Sequence, residues 1–173
     1  MKKRLIISTI IVMLFSVLFH SAYKIIKIPI FPVNESIWEH GKMIILAFIC
    51  LIIVDKIFYK DKTNIIFSSF ISTLICIILD FVVYTPIYLY ILKTEDNMFV
   101  TILIYLICII ISLIVKLYYL RDEKSHKTEI LSIIGYGLLM MVFLILTYYP
   151  LELKIFYDFN KKIYGLGKNS LKI

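Results

Sequence analysis

Charge is scarce in this chain. Asp, Glu, Lys and Arg together make up 18% of its 173 residues and hydrophobic residues 61%, whereas soluble domains carry about 25% charge. With a mean hydropathy of +0.94, this composition excludes an ordinary soluble domain and identifies an integral membrane protein. Five glycines and four prolines are too few for a collagen-like or disordered chain. The length leaves no room for separate catalytic and cofactor domains. Cysteine is equally sparse: Cys50, Cys76 and Cys108 each stand inside an apolar run without a second Cys or His at ligand spacing, which excludes a disulfide framework and a thiolate zinc site. Lys and Arg outnumber Asp and Glu by 19 to 12. They form short clusters beside apolar runs and no single basic stripe, so they mark helix ends and not nucleic-acid binding.

The apolar runs predict an all-α bundle of about five transmembrane helices, at about 4–24, 35–58, 63–84, 98–120 and 128–149, followed by a membrane-surface tail at 151–173. The basic start before Leu5 also fits a signal peptide, but a cut after Ala22 would put His20 at position −3, against the small-residue rule. Pro29 and Pro32 interrupt the first connector. Lys60, Asp61 and Lys62 make a polar turn that implies antiparallel neighbours, and Glu95 falls in a solvated loop. The run 65–92 would be about 42 Å long as a straight helix, beyond a hydrocarbon core of about 30 Å, so Pro86 is the expected break, with 85–92 a tilted or interfacial continuation rich in tyrosine. In the tail, alternation over 153–158, a turn at 159–162 and Ile163-Tyr164-Gly165 read as a small hairpin. An N-terminus in the cytoplasm puts ten Lys or Arg of the short loops inside and four outside, so the tail is expected outside, at the plasma membrane.

That topology gathers polar residues in the outer leaflet. His20 ends the first helix, Asn34, Glu35, Trp38, Glu39 and His40 open the second, Asp80 and Tyr84 lie high on the third, and Tyr148 closes the fifth. If the second helix begins at 34–36, Glu35, Trp38, Glu39 and Lys42 share one face, with His40 turned about 100° from Glu39. Plain structural readings exist: Ser36 and Glu39 form a capping box, Asn34 is an alternative cap, and Trp38 is an interfacial anchor. Asp80 fits them less well, because a carboxylate within a span faces the bundle and finds a partner there. His126 is solvated, and Ser68, Ser69, Ser72, Thr73, Ser132, Gly135 and Gly137 are helix-packing positions.

The string Phe31-Pro32-Val33-Asn34-Glu35-Ser36-Ile37-Trp38-Glu39-His40 follows Phe19-His20-x-x-Tyr23. Far downstream come Thr147-Tyr148-Tyr149-Pro150, Phe156-x-Asp158 and Tyr164-Gly165. Together they resemble a family of small bacterial multi-pass membrane proteins of unknown function that carries an N-E-S-x-W-E-H motif. Members often have Leu then Lys after the histidine; here Gly41 takes the Leu position and Lys42 stays in register. The resemblance implies no activity and no cofactor.

From the residues, the leading expectation is binding or transport of a small cation, a proton or a lipid headgroup. A metal-dependent membrane-embedded hydrolase is the alternative, with His20, His40 and Asp80 joined by Glu35 or Glu39 as ligands. No H-E-x-x-H, G-x-S-x-G, Walker or Rossmann pattern supports an enzyme. A structural or partner-binding protein is the third reading. The inner halves of the helices read as apolar, which argues against an open channel. The pattern specifies neither a cofactor nor an oligomeric state.

Overall fold

The computed structural model describes residues 2–58, 64–93, 97–121 and 125–167. The expected turn at Lys60, Asp61 and Lys62, and the loop position Glu95, lie outside the described residues. Five helices make up the fold: α1 (Lys2–Ile26), α2 (Ile37–Phe58), α3 (Ile65–Leu79, continuing to Ile91), α4 (Met98–Tyr119) and α5 (His126–Tyr148). The first four pack in a ring, α1 on α2 and α4, and α3 on α2 and α4; α5 lies outside it against α2 and α3. All but α2 are long and apolar enough to cross a membrane.

The outward faces show which solvent the bundle suits. On α1, Ile6, Ile10, Leu14 and Val17 are each more than half exposed, while Ser8, Val12 and Ser16 are buried. On α5, Ser132, Tyr136, Phe143 and Thr147 are buried, and Ile130, Leu131, Ile134 and Leu138 point out. Soluble monomers do not leave apolar surface of this extent in water, so the molecule belongs in a lipid bilayer. Inside, where lipid tails offer no hydrophobic drive between helices, small residues and hydroxyls join them. Ser16 and the Tyr105 hydroxyl bridge α1 and α4 at 2.7 Å, Thr73 and the Tyr136 hydroxyl bridge α3 and α5 at 2.7 Å, and Ser72 donates to the Ser112 carbonyl at 2.7 Å. α2 is the central helix, with Ile44, Ile45, Ala47, Phe48 and Leu51 fully buried.

Sequence reasoning breaks the third helix near residue 84 because of Pro86, with 85–92 as a tilted continuation. The structure carries it on to Ile91, through wide turns at Asp80–Tyr84 and Ile87–Ile91 in which the hydrogen bonds skip one extra residue. Pro86 itself has helical angles, φ −62° and ψ −40°, and the Leu92 amide donates to the Ile87 carbonyl at 2.9 Å. Proline removes a donor and crowds the carbonyl one turn back. Widened turns relieve that conflict without ending the helix, and they shift the phase of the side chains beyond Asp80. α2 also starts later than the sequence pattern implies, at Ile37, leaving Glu35 in the turn before it.

After Pro150 the chain folds back over this end of the bundle. A single 3-10 turn (Lys154–Phe156) leads into β1 (Tyr157–Asp158), which pairs antiparallel with β2 (Ile163–Tyr164), with Tyr157 opposite Tyr164 and Asp158 opposite Ile163. Phe156 and Asp158 are buried, so the hairpin is docked. Gly165 has φ +50°, and a Cβ there would run into the Thr147 carbonyl. Only glycine gives both the left-handed backbone and the close approach.

Candidate functional site

The end of the bundle under the tail is organised by the start of α2. Asn34 caps the turn, its side-chain oxygen accepting from the Ser36 amide at 2.9 Å while its Nδ2 donates to the Gly165 carbonyl at 2.7 Å. Ser36 accepts from the Glu39 amide at 3.4 Å, one half of a capping box. The other half is redirected. One oxygen of Glu39 accepts from the Val33 amide at 3.0 Å and from Lys42 Nζ at 2.7 Å, and the other accepts from Thr147 at 2.6 Å. Lys42 Nζ also donates to the Pro29 carbonyl at 2.8 Å. Glu39, Lys42 and Thr147 are buried. This carboxylate therefore ties the connector, α2 and α5 together, and both of its oxygens are engaged.

Glu35 is different. Its backbone amide donates to Asp158 at 3.0 Å, which fastens the tail, while its side chain turns away from Glu39 toward two imidazoles. Oε2 lies 2.9 Å from His20 Nε2 at the end of α1 and 3.8 Å from His40 Nε2 in the first turns of α2. The two rings stand 5.6 Å apart, centre to centre. The hydrogen bond to His20, with the nearby His40 imidazole second, holds the Glu35 carboxyl far below the ordinary carboxylate range, although its partial burial pulls the other way. One ligand atom from each of His20, Glu35 and His40 falls within 4.8 Å of the other two, and all three residues are half-buried. Asp80 is buried on α3, and its carboxyl is within electrostatic reach of His40.

The remaining sequence candidates have other places. Trp38 is no headgroup anchor. It stacks on Phe143 of α5 at 4.2 Å, meets Phe156 of the tail at 4.7 Å and Phe81 of α3 at 5.7 Å, and so forms the apolar seat on which the tail docks. Tyr84 packs on Tyr88 at 5.5 Å, and its hydroxyl meets Thr101 of α4 at 3.1 Å. Tyr148 points outward, 53% exposed, and its neighbour Thr147 makes the contact with Glu39 instead. Glu39, expected as a metal ligand, belongs to the structural half of the site. The face shared by Glu35 and Glu39 does not form, because Glu35 precedes the helix and the 100° rule holds only within it. At Gly41 a Cβ would collide with the Phe143 ring, which stacks on Trp38 at 4.2 Å. Gly41→Ala is therefore expected to destabilise the fold by about 1–3 kcal/mol through overpacking, despite alanine's better helix propensity. Chemical unfolding in mild detergent measures it, and a stabilised variant would show that Phe143 gives way.

A family model described as "Family of unknown function (DUF6512)" matches residues 1–166. The chain belongs to this family. No curated protein and no solved structure matches it. The match covers every residue of the polar end, from His20 to Gly165.

At the far end of the bundle the structure of this family member holds a group that sequence reasoning missed. Lys116 of α4 donates to Asp55 of α2 at 2.5 Å, and Arg4 of α1 approaches the other oxygen of Asp55 at 3.3 Å. Asp55 and Lys116 are buried. The expectation that this end is apolar is thereby corrected. The available signal was Lys116 itself, a lysine set between Val115 and Leu117 inside an apolar run, which counting loop charges had assigned to the membrane surface. Its partner stands 61 residues away, a separation that no helical period reveals.

Proposed function

We propose that this protein binds a small cation at the polar end formed by His20, Glu35 and His40. The contrast between two carboxylates four residues apart carries the reading. Glu39 is committed to a backbone amide, a lysine and a threonine, as a structural acid is. The Glu35 side chain, among the described residues, faces only two histidines from separate elements, in a place that solvent reaches. Fastening the tail needs the Glu35 amide and not its side chain, so the imidazole pair exceeds what the fold requires. Placement in the membrane belongs to the same proposal: five spans in a bacterial plasma membrane, the N-terminus in the cytoplasm and the cation site with its tail outside, by the Lys and Arg count.

A thermal-shift series on protein purified in mild detergent tests it, with sodium, potassium, calcium, magnesium, zinc and cobalt salts and an anionic lipid. A cation should raise the melting temperature in a concentration-dependent way, corresponding to about 2.7 kcal/mol at a hundred times its Kd, and Glu35→Gln should abolish the rise. Stabilisation by lipid alone, with no response to any cation, defeats the cation reading. Single cysteines at Ser125 and Asn160, in a variant lacking the native three, check the orientation. An impermeant reagent on intact cells should label Asn160→Cys only.

A further inference from the structure

We infer that the ion bound at His20, Glu35 and His40 is a divalent transition metal of the zinc, copper or nickel class, held through the two Nε2 atoms and one carboxylate oxygen. The inference rests on the cation-binding reading and narrows it to a chemistry.

The donor set decides the class. Calcium takes six to eight oxygen ligands and magnesium an octahedron of oxygens. This cluster offers two nitrogens and one oxygen, the set that borderline metals prefer. Spacing agrees with that. A tetrahedral ion with bonds of about 2.0–2.1 Å sets its ligand atoms about 3.3 Å apart. Here Glu35 Oε2 stands 2.9 Å from one Nε2 and 3.8 Å from the other, and all three ligand atoms lie within 4.8 Å of one another. To reach that spacing the ligand atoms close by at most about 1.5 Å. His40 Nε2 is buried and has no hydrogen-bond partner within ordinary distance, a cost that an ion between the rings removes.

The three ligands come from three differently supported elements: the last turns of α1, the connector turn and the first turns of α2. The connector turn is held by Asn34 to the tail and by the Glu35 amide to Asp158, so the backbone carrying the carboxylate is fixed before an ion arrives. Three protein ligands leave a fourth position for water or an incoming group, the arrangement of an open zinc site.

Tag-free protein in chelator-free detergent buffer, titrated with Co2+, tests the inference. The expected result is one Co2+ per chain, with visible d–d bands of tetrahedral nitrogen and oxygen ligation, no thiolate charge-transfer band, and displacement by Zn2+. His20→Ala, His40→Ala and Glu35→Gln should each weaken binding about tenfold or more, with metal-free melting temperatures close to wild type. If a variant fails to fold, electron paramagnetic resonance of Cu2+-loaded wild type decides on the unaltered chain, where two imidazole nitrogens should split the signal. Retention of Co2+ binding in folded His20→Ala or His40→Ala, a thiolate band, or a Cu2+ spectrum without imidazole coupling overturns the inference. Stabilisation by sodium, potassium, calcium or magnesium with no Co2+ or Zn2+ binding also overturns it, but leaves the cation reading standing. No response to any cation removes both.

Discussion

Replacing Asp55 by leucine is expected to cost about 3–5 kcal/mol of folding free energy, because it leaves Lys116 buried without its counter-charge. Lys116, in the last turn of α4, is 1% exposed. The pair is not expected to be worth that much in itself. Two charges removed together take their desolvation cost with them, and well-packed apolar replacements of buried ion pairs are often neutral. Asp55→Leu combined with Lys116→Met should therefore recover most of the loss, with Arg4, whose side chain is 17% exposed, turning toward the surface along its apolar stem. Unfolding followed by circular dichroism in mixed detergent gives the comparison. A single-variant loss below about 1 kcal/mol would mean that the lysine finds another partner or water.

The second large effect separates two acids that the sequence presents as near equivalents. Glu39→Ala should destabilise by about 3–5 kcal/mol, since it strands Lys42 and removes the acceptors for the Val33 amide and the Thr147 hydroxyl. Glu35→Gln should stay within about 1 kcal/mol of wild type, because its ion pairs are half-exposed and solvent screens them. The tail gives an independent readout: limited proteolysis after Pro150 should accelerate in the Glu39 variant and not in the Glu35 variant, whose amide still reaches Asp158. Equal losses in the two variants would show that the histidine cluster is as structural as the Glu39 network and would weaken the functional reading.

Particular residues show how far pattern reading reaches. His20, Glu35 and His40 were legible as one layer because depth along a span follows from counting residues at a fixed rise. Glu35 and Glu39 were legible as candidates, but their division of labour was not. It depends on α2 starting at Ile37, which an Asx turn at Asn34 decides, and helix boundaries are the weakest part of any periodic pattern. Trp38 read as an interfacial anchor because that is what tryptophan does at a helix end when nothing covers it. Here the tail covers it, brought back by Pro150 and a glycine at Gly165 that can approach Thr147. Pro86 read as a break because the local rule counts the lost donor, and it does not see the wide turns that absorb the loss on either side.

By itself the sequence determined the solvent and the existence of the helices. These depend on composition, on runs of apolar residues and on a constant rise per residue, all local quantities. Tertiary structure alone decided which charge meets which. Asp55 and Lys116, Glu39 and Thr147, and His20, Glu35 and His40 are pairings across separate elements. In a bundle whose outer faces are uniformly apolar, the rotation and order of the helices are set by the few buried polar contacts themselves. Those contacts form only after the chain has assembled, so the choice between a carboxylate that fastens the fold and one left facing two histidines is made by the packed bundle as a whole.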